Sequence, residues 1–128
     1  MRMEGKGVIR KAMVIAQPWV SMIMNYEKSI ELHTYRCNYR GTVGIAASGT
    51  QKILGTAVIL DCIWIPISLV WHPYFFTRHK LTRDIRQTLV QKIYHNKGVW
   101  GWVLGHIQPY STPQDYTHTH GAVVWVKL

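Results

Sequence analysis

Residues 17–48, QPWVSMIMNYEKSIELHTYRCNYRGTVGIAAS, restrict the possible fold more than any other stretch of the chain. Pro18 occupies the first-turn position that helices tolerate best. Trp19, Val20, Ile23 and Met24 then recur at helical spacing. The helix has little room to extend, because Ser29 to Thr34 alternates as a strand does. Ile30 and Leu32 fall on one face, and Ser29, Glu31 and His33 on the other. An aromatic, basic loop from Tyr35 to Gly41 follows, then a strand ending at Ser48. In a regular strand Lys28 would lie on the Ile30 side. It shares a site with Glu31 only from the helix–strand junction, and that placement is the one expected. Lys, Arg, Asn, Tyr and a carboxylate crowded at one corner are poor core material. They suit a cleft that holds an anionic, planar ligand such as a nucleotide.

The next stretch decides between a membrane and a water-facing chain. Ile53 to Trp71 is 19 residues with one charge, nearly the length of a membrane helix. Asp61 falls near its middle, where a charge costs about 2.5–3.5 kcal/mol on insertion scales. Gly55 and Pro66 interrupt it, and much of it is β-branched, so a long buried strand followed by a turn is expected. That strand is Gly55–Ile65, and Ala12–Ala16, Thr42–Ala47, Val99–His106 and Ala122–Lys127 are the other predicted strands. Pro66–Leu81 is expected to be irregular. Thr82 is a plausible N-cap with Asp84 in the first turn of a second helix. Ile85, Leu89, Val90 and Ile93 form the apolar stripe of that helix, and Gly98 follows its stop. The connector holding Pro109 and Pro113 is expected to be a loop. At 128 residues the chain makes one domain, residues 11–128, behind a basic, flexible lead-in over residues 1–10.

Fifteen Lys and Arg against six Asp and Glu give a formal charge of +9. Such a balance favours an anionic partner. Cys37 and Cys62 form no CxxC pair, and the N-terminus lacks a signal-peptide core, so reduced thiols and a cytoplasmic location are expected. Cys37, in the basic loop, is either a somewhat reactive thiol or a filler. The histidines, His118 and His120 among them, lack structural zinc spacing. Neither a metal nor a cofactor is expected, since Gly-rich phosphate loops and nucleophile elbows are absent.

The order of these residues resembles the ASCH family of PUA-like β-barrels. Gln17, Pro18, Trp19, Lys28, Glu31, Arg36, Asn38, Tyr39, Arg40, Gly41, Ala47 and Ser48 match the pattern of that family in sequence order. Gly55 to Cys62 is similar to its G-x-V-x-L-x-D-C strand, and Gly101 to Leu104 to its Y-G-W-V-L strand. Gly121 to Leu128 is similar to its closing strand. Tyr26 stands where the family motif has Gly, and His33 where it has Arg. The resemblance implies a mixed α+β, PUA-like barrel of five to six strands with two main helices. It also implies a binder of RNA or a nucleotide, with the ligand between the first helix and the barrel.

The ligand-binding candidates are therefore Gln17, Lys28, Glu31, His33, Arg36, Asn38, Tyr39, Arg40 and Ser48. Arginine forks grip phosphate at two points, tyrosine offers a stacking face, and asparagine can read a base edge. Single-stranded RNA is the favoured partner, DNA is a possible one, and no membrane is expected. If His33 faces a phosphate, its cationic form is the binding form. As cleft residues, Lys28 and Arg40 are expected to contribute little to folding, whereas Trp19 should pack the first helix onto the barrel. Arg78-His79-Lys80 with Arg83 and Arg86 reads either as a backbone-tracking patch or, more simply, as a solvated helix start.

Two other function classes stay open. Some ASCH-like proteins are amidohydrolases on modified cytidine, and others are ribonucleases. Lys28 matches the catalytic lysine of the amidohydrolase branch, but Glu31 stands where that branch has threonine. No Glu follows Glu31, leaving Asp61, Asp84 and Asp115, of which Asp61 is best placed. An enzyme would draw on Lys28, Glu31, Tyr35 and Asp61, and metal-free RNA cleavage on Lys28, His33 and Tyr35 as acid–base groups. A protein–protein adaptor is the third class, from the apolar run Trp71–Phe76.

Overall fold

The structure is a computed structural model, and it describes residues 2–3, 6–82 and 87–128. In chain order the elements are β1 (Arg2–Met3), β2 (Lys6–Val8), β3 (Lys11–Ile15), α1 (Trp19–Met24), β4 (Ile30–His33), β5 (Gly41–Ala47) and β6 (Lys52–Pro66). Then come α2 (Ile67–Val70), α3 (Pro73–His79), α4 (Gln87–Asn96), β7 (Gly98–Asp115) and β8 (Trp125–Lys127). β1 and β2 pair with each other, and the other six strands form one sheet in the order β4-β7-β6-β5-β3-β8. Among the described residues only the β3–β5 pairing in this sheet is parallel.

The sheet curls into a half-barrel. Trp102 on β7 and Trp125 on β8 lie near opposite edges of the strand order, yet their rings stack with centroids 5.8 Å apart. The main core fills the curl and the space under the helices. It joins Met13, Ile15, Val43, Ile45 and Trp102 to Trp19, Val20, Ile23 and Met24 of α1 and to Leu89 and Ile93 of α4. A smaller cluster of Ile9, Ala12, Ala46, Ile53, Tyr116 and Val126 covers the outer side of β3 and β5. The helical spacing read at Trp19–Met24 is thus the buried face of α1, and Trp19 is 5% exposed. Among the described residues no helix is long and apolar enough to cross a membrane. The 19-residue apolar run is instead most of β6 and the start of the helical segment.

Two expectations are corrected. The stretch from Pro66 to Leu81 is not irregular: it holds α2 and α3, each only one or two turns long. Pro73 takes the first turn of α3, and the His72 ring accepts from the Tyr74 backbone N–H at 3.2 Å. The connector with Pro109 and Pro113 is not a loop but the second half of β7. β4 pairs only with residues 100–103 of β7, so beyond them β7 has an open side. There a proline's missing N–H costs no ladder bond, and register shifts in the β6–β7 pairing absorb the irregularity. The predicted N-terminal features of the last helix, Arg83, Asp84, Ile85 and Arg86, lie outside the described residues.

Candidate nucleic-acid interface at the barrel mouth

The topology separates the sequence-derived site residues into three groups. Gln17 and Ser48 follow the C-terminal ends of the parallel strands β3 and β5. The Gln17 Oε1 accepts from the Ser21 hydroxyl at 2.8 Å and from its backbone N–H at 3.3 Å, which caps α1. Ser48 lines a cavity of about 590 Å³ with Gln51, Tyr116, His118 and His120. The loop of Tyr35 to Arg40 enters β5 at its other end, about 20 Å away at 3.3 Å per strand residue. Gly41, at φ +123°, makes the turn from that loop into β5 in a conformation side-chain-bearing residues rarely adopt.

Lys28 and Glu31 form the second group, and the junction placement is what brings them together. The Lys28 Nζ lies 3.4 Å from the Glu31 carboxylate. It donates to the Ile30 carbonyl at 2.7 Å and to the His79 carbonyl at the end of α3. Both residues are nearly sealed, at 3% and 4% exposure. The expectation of an exposed lysine with little folding role is therefore overturned: this ammonium ties β4 to α3. His79 belongs to the same network rather than to a solvated basic run, since it is fully buried. Its Nδ1 accepts from the Leu81 N–H at 2.9 Å, so the proton sits on Nε2, which donates to the Val70 carbonyl at 2.6 Å. Burial, opposed by that Val70 bond and helped by the Lys28 charge, lowers its pKa to about 4. No sequence signal separates such a structural histidine from Arg78 and Lys80 beside it.

The third group surrounds the mouth of the half-barrel. Glu31, Trp102 and Cys62 are aligned across β4, β7 and β6, one row inside it. The His33 ring lies against Trp102 with centroids 3.7 Å apart, and Tyr35, 44% exposed, meets Trp102 edge-on at 5.4 Å. The Trp102 indole N–H donates to the Tyr35 carbonyl at 3.1 Å, anchoring the loop. Arg40 turns its guanidinium back on the loop, donating to the Cys37 and Tyr39 carbonyls at 2.8 and 2.9 Å, with Asp61 at 3.9 Å. Asp61 also accepts from the Cys62 N–H at 2.7 Å. Tyr39 is half-buried against the core, and Arg36 and Asn38 are exposed.

Both cysteines are free and buried, and the Cys37 N–H donates to the Cys62 sulfur at 3.3 Å. Burial pushes the Cys37 thiol up, which fits the filler reading rather than a reactive thiol. Burial also lifts the Tyr35 phenol, with Cys37 adding to it. Among the described residues no group of three or more His, Cys, Asp or Glu could hold a metal.

The residues that complete the mouth had no motif to announce them. The Lys11 ammonium lies 4.4 Å from the Tyr39 ring centroid and 5.0 Å from that of Trp125. Tyr39 and Trp125 approach edge-on at 6.3 Å. Arg10, Lys11, Trp125, Val126 and Lys127 line a cavity of about 350 Å³. Lys11 and Lys127 are directly opposed across the antiparallel β3–β8 pair. Among the described residues none of Arg10, Lys11 and Lys127 has a carboxylate partner. A Trp-Val-Lys alternation at the C-terminus was the available signal. It acquires meaning only when β8 lies beside Lys11.

No protein-family model matches the sequence, and a search of curated proteins finds no match. Solved structures do match. Crystal structures of two mutant forms of an ASCH protein from Zymomonas mobilis superpose with TM-score 0.71 at 12% identity, covering 92% of this chain and 87–88% of theirs. A crystal structure of ASCH from the same organism gives TM-score 0.62 at 14% identity, covering 77% of this chain and 68% of that one. The fold is therefore ASCH-like: mixed α+β, a curled six-strand half-barrel with four helices among the described residues. The two helices expected from the sequence are α1 and α4, and α2 and α3 are additional ones in the stretch expected to be irregular.

Proposed function

We propose that this domain binds RNA or a nucleotide, single-stranded RNA by preference, at the mouth of the half-barrel. The observation that carries the reading is the opposition of Lys11 and Lys127 beside Trp125. Like charges directly opposite on neighbouring strands destabilise a sheet. A phosphate between them turns that repulsion into two attractions, with Arg10 as a third cation. The adjoining Tyr39 and Trp125 rings supply stacking faces, worth about 1–3 kcal/mol per base in single-strand binders. The cavity is of a size with small ligand sites. In this reading Lys28 and Glu31 act from behind, holding β4 and hence the loop that follows it. The hydrolase reading finds less support. Lys28 and Glu31 are enclosed, and a Tyr35 phenol held above its usual pKa keeps its proton and is a poor base.

The test is binding of labelled single-stranded RNA across a salt series, scored for cleavage in the same tubes. Affinity should fall with a log–log slope of about −0.7 per phosphate contact. Lys11→Met and Lys127→Met should each weaken binding and reduce that slope by about 0.7. An affinity indifferent to salt, or unchanged in both variants, refutes the site. Metal-independent products would put the enzyme reading ahead of the binder.

A further inference from the structure

We propose that Trp64 and Trp100, with Arg36, form a second base seat beside the mouth, so that the ligand is a strand of two or more nucleotides rather than a mononucleotide. The inference rests on the reading of the mouth as a phosphate and base site, and it extends that site by three residues no motif singled out together.

Trp64 on β6 and Trp100 on β7 are cross-strand partners, and their rings meet edge-on with centroids 5.3 Å apart. Trp64 is 44% exposed, a large apolar area left to solvent on a sheet position. Its indole lies down over Gly98, two residues before Trp100 on the same face, where any Cβ would collide with the ring. The missing side chain at Gly98 thus makes room for the benzo edge of the Trp64 indole against the strand. The exposed Arg36 guanidinium lies 5.8 Å from the Trp100 ring centroid and, among the described residues, has no carboxylate partner. A cation and an open π-face side by side match a phosphate and its attached base.

The seat is continuous with the mouth. Trp100 is the cross-strand partner of His33, His33 lies on Trp102, Trp102 stacks on Trp125, and Trp125 meets Tyr39 under Lys11. Trp102 is fully buried and supports this row from inside, so a strand bridging the Arg36 end and the Lys11–Lys127 end rests on the part-exposed rings at either end and not on Trp102. Charge selects the occupant: a second copy of this chain would bring its own +9 and be repelled, whereas a polyanion is attracted.

The experiment is competition of UMP and of two-, four- and eight-residue oligouridylates against a labelled octamer, on the full chain and its variants. In the wild type, affinity should rise from UMP to the tetramer. Trp64→Ala should leave UMP binding unchanged and weaken the octamer about 5- to 160-fold, the range expected for one lost stacked base. Trp64→Phe should retain most of the affinity, and Arg36→Met should lower the salt slope by about 0.7. Melting curves of the Trp64 variants show whether each is folded. Octamer binding by folded Trp64→Ala equal to wild type, or an equal loss for UMP and octamer, overturns the second seat while leaving the mouth intact. A wild type that binds neither UMP nor octamer overturns the mouth and this seat together. Concentration-dependent self-association abolished by Trp64→Ala would assign the face to a second copy instead.

Discussion

Lys28→Met removes an ammonium that is sealed from water and leaves the Glu31 carboxylate, 4% exposed, without its cation. Two carbonyls, those of Ile30 and His79, lose a charged donor in the same step. Breaking one side of a buried ion pair costs about 3–5 kcal/mol, because the survivor keeps its desolvation penalty. The two charge-assisted hydrogen bonds, about 1.5–3 kcal/mol each in isolation, overlap with that cost and are not added to it. For a chain of this length, 1 kcal/mol moves the melting temperature by about 4 °C, so a drop of about 12–20 °C is expected. Urea melts of Lys28→Met, Glu31→Leu and the double variant form a cycle. The double variant should recover most of the loss, since an apolar replacement of both partners is often neutral. A Lys28→Met protein within about 0.5 kcal/mol of wild type would refute the claim that this lysine ties β4 to α3. RNA binding by folded Lys28→Met, measured well below its melting point, should fall only as far as the loop after β4 loosens.

His79 makes stability depend on pH. Its folded pKa, about 4, lies below the ordinary 6.5, so the unfolded chain binds the proton first and stability falls as pH drops through that window. From pH 8 to pH 5 the loss attributable to this group is about 2 kcal/mol by urea midpoint. A flat profile would mean the imidazole is not held neutral. Arg40→Ala should weaken RNA binding and cost about 1 kcal/mol, since the half-exposed guanidinium staples two carbonyls of its own loop. Unchanged hydrogen exchange across residues 35–40 in that variant would contradict the stapling role.

The sequence by itself determined the local elements whose signal is periodic. The face of α1, the alternation of β4 and the apolar length of β6 could each be read directly, because burial on one side writes a repeat into the chain. Register and contact across distant strands write no such repeat. That Lys11 opposes Lys127, that Trp125 reaches Trp102, and that Lys28 is roofed by the end of α3 all depend on how the sheet curls. α2 escaped because a single turn shows no period, α3 because its apolar residues Tyr74, Phe75 and Phe76 are adjacent rather than at helical spacing, and His79 because burial by another element leaves no mark on its neighbours. The ordered motif placed Gln17, Lys28, Arg40 and Ser48 in one list. The parallel pairing of β3 with β5 separates Gln17 and Ser48 from the 35–40 loop by the length of a strand, because residues that follow parallel strands emerge at the end opposite to those that enter them.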